Sequence, residues 1–180
     1  MQTYIAFFRG INVGGKNTLP MLALVAILED LGARRVRTYI QSGNAVLETD
    51  EQDAALLGSR ISVAIEQRRG FEPKVLLLTL EDLERAIRRN PFAEAEAEPK
   101  GLHAGFLASI PEKPNLAALE GLRSASERFL LVDDVLYLHA PDGVGRSKLA
   151  ANAERLIGVP MTDRNWRTVC KVRELAKTDR

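Results

Sequence analysis

Cysteine and histidine are scarce in this sequence, and their scarcity excludes several kinds of site. Cys170 is the single cysteine, so the chain forms no internal disulfide and no thiolate metal cage. Only His103 and His139 supply imidazole groups, which argues against a histidine-rich metal centre. We therefore predict neither a metal nor a cofactor.

Long apolar runs are absent as well, and neither sign of charge dominates. A membrane-spanning helix needs about 18 or more apolar residues in a row. The N-terminal segment MQTYIAFFRG has no basic region before its apolar stretch and no cleavage site after it. The net charge of +1 does not favour general nucleic-acid binding, although a local basic patch is compatible with it. We expect a soluble, cytoplasmic protein with no membrane partner.

The first half of the chain alternates between apolar strands and helical segments. Its predicted order is β-α-β-β-α-β followed by a short helix, with strands at residues 3–9, 36–40, 44–49 and 74–79. Thr18, the pair Thr49 and Gln52, and Thr79 are placed to cap the three helices. The middle two strands read as a hairpin because a short polar turn, residues 41–44, joins them.

The second half repeats this order after an acidic, low-complexity stretch, AEAEAEPKG. We predict an N-terminal half at residues 1–92, a linker at 93–101 and a C-terminal half at 102–180 that ends in a helix. The element order predicts an α+β fold of two consecutive ferredoxin-like (βαββαβ) halves. Each would hold an antiparallel sheet with helices on one face.

A glycine-rich loop follows the first strand and fits part of a phosphate-binding pattern. Residues 10–17, GINVGGKN, match the first seven positions of G-x-x-x-x-G-K-[ST], but Asn17 stands where a hydroxyl residue should bind magnesium. The next strand also enters a hairpin rather than a parallel sheet. A phosphate-loop nucleotidase is thus disfavoured. The loop could still bind an anion at a helix N-terminus with Arg9 and Lys16, or its glycines could serve only turn geometry and close packing.

Four motifs in order, RGINVGGKN, TYIQSGNAV, GRSKL and TDRNWRTV, carry a family resemblance. The chain resembles the domain of unknown function 1697 family, a group of uncharacterised, mainly bacterial proteins, and the resemblance runs through essentially the whole chain. It implies an α+β fold. It supplies no activity, substrate or catalytic residue.

The polar motifs predict two clusters, one in each half, rich in groups that bind oxyanions. Chain order places the loop after the first strand beside the turn between the second and third strands, and it places GRSK beside the final motif. We predict that the two clusters face one cleft between the halves, since ligands often bind between domains. The candidate ligand-binding residues are Arg9, Asn12, Gly14, Gly15, Lys16, Gln41, Ser42, Asn44, Arg146, Ser147, Lys148, Arg164, Asn165 and Arg167.

Some of these residues also have structural interpretations. Arg164 and Arg167 are spaced to lie on one solvated helix face, and Trp166 is predicted to be part of the core. Ser42 and Asn44 suit the local side-chain-to-backbone bonds of a turn.

The clusters favour binding of a phosphorylated small molecule or a nucleic-acid end. One alternative is an enzyme acting on a phosphorylated or carboxylated substrate, with the same groups stabilising negative charge. Another is a protein-interaction module. No paired carboxylates or Ser-His-Asp order assigns a catalytic residue, and the sequence leaves both enzymatic activity and oligomeric state open.

Overall fold

The structure, a computed structural model, describes residues 1–178. In this range the fold is α+β, with two four-stranded antiparallel sheets and six α-helices. The chain divides into two compact units: Met1–Arg85 together with the segment that begins at Cys170, and Ala86–Val169. None of the described helices is both long and apolar enough to span a membrane.

The first sheet has the strand order β2-β3-β1-β4 with every neighbouring pair antiparallel. Its four strands agree closely with the segments that alternation predicts. The strands are β1 (Gln2–Arg9), β2 (Arg34–Tyr39), β3 (Asn44–Thr49) and β4 (Lys74–Thr79), and the helices along the same stretch are α1 (Met21–Asp30), α2 (Ala54–Arg69) and α3 (Leu80–Arg88).

β1 lies inside the first sheet and is buried on both faces, which explains its unbroken apolar run. Tyr4, Ala6 and Phe8 pack in one core cluster with residues of α1 and α2, such as Leu24 and Ile61. The alternate side chains, Ile5 and Phe7, are fully buried as well. Burial of apolar side chains of this size contributes about 1.5–3 kcal/mol each, so β1 is a main source of stability for this unit.

Two of the three predicted helix caps are wrong. α1 begins after Pro20 and has no side-chain cap, so Thr18 is not its cap. α2 is capped by Asp53, whose carboxylate accepts the N–H groups of Ala55 and Leu56, and not by the predicted Thr49–Gln52 box. Both segments contain several residues that cap well, and the apolar spacing does not choose among them.

The Thr79 cap is present and is reciprocal. Thr79 Oγ1 accepts the Asp82 N–H at 3.1 Å, and Asp82 Oδ2 accepts the Thr79 N–H at 3.1 Å. This arrangement satisfies two backbone donors at the start of α3.

The second sheet has the order β6-β7-β5-β8, again with antiparallel neighbours. The predicted linker, residues 93–101, forms two short 3-10 turns in which Ala95 and Gly101 are buried. The strands are β5 (Leu102–Leu107), β6 (Arg128–Val132), β7 (Val135–His139) and β8 (Met161–Asn165), and the helices are α4 (Leu116–Leu122), α5 (Lys148–Ile157) and α6 (Trp166–Lys177).

Helices α4 and α5 cover one face of this sheet through a second apolar cluster. Leu119 of α4 and Leu149 of α5 pack with Leu136 and Leu138 of β7. α5 is capped by Ser147, whose Oγ accepts the Ala150 N–H, and it ends at Gly158 in the left-handed conformation. Trp166 is buried, as predicted.

Candidate functional site

The glycine-rich loop forms a small hairpin of its own. Val13 and Lys16 form a β-bridge, and the Lys16 N–H donates to the Val13 carbonyl at 3.0 Å. The two residues between them, Gly14 and Gly15, both have positive φ, as two-residue type I′ hairpin turns require. The glycines therefore supply turn geometry.

This geometry differs from that of a phosphate-binding loop. In that motif the helix starts at the lysine, so its first amides surround the phosphate. Here the chain continues through Asn17 to Pro20, and α1 begins only at Met21. The loop therefore lacks the helix start that such a site needs, which agrees with disfavouring a nucleotidase.

Chain order predicts contact between this loop and the β2–β3 turn, and the structure places the two together. Asn12 Nδ2 donates to the Gln41 carbonyl at 2.8 Å and to the Leu19 carbonyl at 2.9 Å, while Asn12 Oδ1 accepts the Leu19 N–H at 2.7 Å. The Phe8 N–H donates to the Gly43 carbonyl at 2.8 Å. Asn12 therefore links the glycine-rich loop, the segment before α1 and the β2–β3 turn. These bonds use the amide nitrogen and the oxygen of its side chain.

Gly43 is required because the two turns approach so closely. A Cβ at this position would lie 2.6 Å from Ile11 Cδ1 and 2.7 Å from Phe8 Cβ, and Gly43 also has a φ of 85°. The motifs RGINVGGKN and TYIQSGNAV are thus two sides of one packed corner of the sheet.

The other predicted residues of this corner have varied surroundings. Asn44 is fully buried and donates to the Tyr39 carbonyl, so it holds the hairpin. Lys16, Gln41 and Ser42 are exposed, and Arg9 is half-buried at the end of β1.

The C-terminal cluster borders a cleft of about 560 Å³ that we name the α4–α5 cleft. It lies where α4 ends and α5 begins, within the Ala86–Val169 unit. Its lining consists of residues 121–124, Glu127, Asp142, Gly143 and residues 146–148. Three of the predicted ligand-binding residues, Arg146, Ser147 and Lys148, therefore share one concave surface.

Arg146 and Lys148 are exposed, and in the described part of the chain neither side chain forms an ion pair or a hydrogen bond. Many other surface cations of this protein are paired, as Arg68 is with Asp30 at 2.8 Å and Arg128 with Glu94 at 2.5 Å. The two cleft cations are thus available to an anion.

The lining also contains carboxylates that the sequence analysis missed. Glu127 is only 5% exposed, and its Oε2 accepts the Ser124 N–H at 2.9 Å. Asp142 Oδ2 accepts the Ser126 hydroxyl at 2.6 Å. Ser124 and Glu127 have the S-x-x-E spacing of a capping box, and this signal could have identified the turn in advance.

Arg164, Asn165 and Arg167 are not among the residues that line the cleft within the described chain. Asn165 Nδ2 donates to the carbonyls of Pro99 and Lys100, and its Oδ1 accepts the Arg167 N–H at the start of α6. Burial lowers the pKa of Arg164 to about 10, and the neighbouring Asp163 opposes this shift. Asn165 thus holds the segment before β5 against β8, and Arg167 is exposed.

One further polar pair connects β5 and β8. His103, which is buried, forms a hydrogen bond through Nδ1 to Asp163 Oδ2 at 2.8 Å, and Asn165 lies 3.5 Å from its Nε2. In the β5–β8 pairing His103 lies opposite Asn165 and Asp163 lies opposite Gly105, so His103 and Asp163 are two positions apart on adjacent strands. This cross-strand bond gives His103 a structural role.

Comparisons with known proteins place the chain in a family. The solved structure of the conserved bacterial protein SP0830 from Streptococcus pneumoniae is similar, with a TM-score of 0.75 and 26% identity over 98% of this chain and 99% of that chain. No curated protein matches the chain. A family model described as "Protein of unknown function (DUF1697)" matches residues 1–137, a shorter span than the motifs implied, since GRSKL and TDRNWRTV lie beyond it. The chain therefore belongs to the DUF1697 family of proteins of unknown function.

Proposed function

We propose that this protein binds a phosphorylated small molecule in the α4–α5 cleft. The observation that carries the proposal is a pair of cations, Arg146 and Lys148, that have no partner within residues 1–178 and lie on the wall of a cleft of about 560 Å³. Clefts of roughly 300–1,000 Å³ are typical of small-molecule sites. The proposal narrows the sequence-based prediction to one of its two clusters, and the cleft between the halves stays a prediction.

The chemistry of the two cations favours a phosphoryl group. The guanidinium of Arg146 suits the planar, bidentate contacts that phosphate accepts, and the ammonium of Lys148 adds a point charge. The start of α5 adds a smaller attraction of about 0.3–1 kcal/mol for an anion. The side chains therefore supply most of the binding energy.

The proposed scaffold is ferredoxin-like in both units. Two features support this assignment: each sheet follows the order β-α-β-β-α-β along the chain, and its first strand lies inside the sheet between two antiparallel neighbours. The assignment describes the scaffold alone, because many unrelated functions occur on one fold.

The direct test is calorimetric titration of the full chain with inorganic phosphate at constant ionic strength. We expect saturable binding that Arg146→Ala weakens by about tenfold or more, since a hydrogen bond to a charged group contributes about 1.5–3 kcal/mol. Lys148→Ala should weaken it as well. Lys16→Ala is the matched control, because it removes an exposed cation of the glycine turn and should leave the affinity unchanged.

Two results would contradict the proposal. One is the absence of saturable phosphate binding to the wild-type chain. The other is binding that survives loss of Arg146 and Lys148 together but disappears with Lys16, because the site would then lie at the glycine turn.

A further inference from the structure

We infer that the ligand of the α4–α5 cleft carries hydroxyl groups as well as a phosphoryl group, so that its class is a phosphorylated sugar. This inference rests on the proposed function, since it assigns a second part of the ligand to the same cleft. It follows from the two carboxylates of the lining, Glu127 and Asp142, which phosphate binding alone does not use.

Each carboxylate has one oxygen bonded to the protein and one oxygen that is not. Glu127 Oε2 accepts the Ser124 N–H, and Asp142 Oδ2 accepts the Ser126 hydroxyl. Glu127 Oε1 and Asp142 Oδ1 form no hydrogen bond with the residues that the structure describes. Asp142 is exposed, and Glu127 Oε1 is not among the buried side-chain atoms of the described residues that lack a partner. Both oxygens can therefore accept a hydrogen bond from a ligand hydroxyl in place of water.

A neutral hydroxyl fits these oxygens better than a cationic group does. The lining contains three cations, Arg123, Arg146 and Lys148, against the two carboxylates. Arg123 is held beside Glu127, since its Nη1 donates to the Glu127 carbonyl at 2.8 Å. The charge of Arg123 is offset by its 2.7 Å ion pair with Glu120. An ammonium group on the ligand would meet repulsion from Arg146 and Lys148, whereas a hydroxyl would not.

A metal ion is a poorer occupant of the carboxylate end. Hard cations such as Mg²⁺ and Ca²⁺ are bound by several oxygen ligands at once. Within residues 1–178 no group of three or more His, Cys, Asp or Glu side chains is placed to hold a metal ion. The two carboxylates alone give an incomplete site.

The order of residues along the chain suits a single ligand with two kinds of group. Asp142 and Arg146 are four positions apart in one loop that the Gly143 N–H to Ala140 carbonyl bond and the Ser147 N–H to Val144 carbonyl bond keep compact. When a phosphoryl group binds to Arg146, the rest of a small ligand therefore lies near Asp142. A sugar phosphate has this arrangement of charge and hydroxyls.

The test compares two phosphate monoesters, ribose 5-phosphate, which carries several hydroxyl groups, and propyl phosphate, which carries none, by calorimetric titration at one ionic strength. We expect ribose 5-phosphate to bind at least about tenfold more tightly, because hydrogen bonds from its hydroxyls to carboxylates are charge-assisted. Asp142→Asn should reduce this preference while leaving propyl phosphate binding equal or stronger. Glu127→Gln should act in the same direction, and the exposed Asp142 provides the test if the buried Glu127 variant fails to fold.

The outcomes separate this inference from the proposed function. If propyl phosphate binds as tightly as ribose 5-phosphate and Asp142→Asn changes neither, the hydroxyl assignment is wrong while phosphate binding stands. If neither probe binds the wild-type chain, the proposed function is wrong, and the inference is lost with it.

Discussion

Asn12 shows how one polar side chain can be structural although it lies in a loop that resembles a ligand site. Its amide makes hydrogen bonds to both backbone groups of Leu19 and to the Gln41 carbonyl. It also has a φ of 53°, a conformation that Asn adopts more readily than most residues. Both the hydrogen bonds and the backbone conformation thus favour Asn at this position.

Replacement of Asn12 should therefore destabilise the fold. Asn12→Ala should lower the free energy of unfolding by about 1–3 kcal/mol, because it leaves partly buried backbone groups without partners. The matched control is Asn17→Ala, since Asn17 has nearly the same φ, 52°, but its side chain donates only an exposed hydrogen bond, to the Gly10 carbonyl. Urea denaturation of both variants measures the difference, and equal losses would show that Asn12 serves only the backbone conformation.

Gly43 allows a second test at the residue scale. Gly43→Ala should cost about 2–4 kcal/mol, combining the penalty for a side chain at positive φ with overpacking against Phe8 and Ile11. Gly70→Ala is the control, because Gly70 also has positive φ but faces open space. It should cost only about 1–2 kcal/mol. A Gly43 variant as stable as the Gly70 variant would mean that the two turns are not packed together as described.

At the element scale, the cap of α3 links stability to pH. Burial favours a raised pKa for Asp82, but hydrogen bonds from Thr79 and Arg85 outweigh it and leave the pKa below its usual value. A lowered carboxyl pKa in the folded state adds stability that is present above the unfolded pKa of about 3.9. This stability is lost as the pH falls through the lower folded pKa.

Asp82→Asn should accordingly destabilise the protein at pH 7 and much less in acid. We expect a loss of about 0.5–2 kcal/mol at pH 7, the range for losing a helix cap. The difference from the wild type should shrink when urea denaturation is repeated at pH 3. Glu81→Gln is the control, because Glu81 is an exposed acid in the same turn. A pH-independent loss would show that the charge of Asp82 does not contribute.

The positions of the strands along the chain were predictable from the sequence, whereas the helix starts were only partly predictable. Most strands contain an apolar run whose length and flanking turns mark their limits, as KVLLLT does for β4, whereas β2 (RRVRTY) and β8 (MTDRN) are largely polar. Helix starts depend on which of several neighbouring polar side chains reaches the free N–H groups. Thr49 ends β3 and accepts the Glu51 N–H, and Asp53 is then the residue left to cap α2. Which of these side chains caps the helix therefore depends on their positions in three dimensions.

At the scale of the whole molecule, topology predicts which loops meet, and packing decides where a cleft forms. Antiparallel order alone brings the glycine turn to the β2–β3 turn, as the bond from Asn12 to Gln41 shows. The α4–α5 cleft depends instead on how two helices rest on β7, and Asp142 and Glu127 join it from separate turns. Arg146, Ser147 and Lys148 were identified from the sequence, whereas the S-x-x-E spacing of Ser124 and Glu127 marks a turn and does not reveal the cleft.

The most direct test of the central claim locates bound phosphate residue by residue. Titration of the ¹⁵N-labelled full chain with inorganic phosphate, followed by amide NMR spectra, should produce saturable shifts at Gly143 and at residues 147–149. In Arg146→Ala these shifts should need about tenfold more phosphate, or more, to reach half-saturation. Shifts confined to Gly14, Gly15 and Lys16, or no saturable shift at all, would contradict the assignment of the anion site to the α4–α5 cleft.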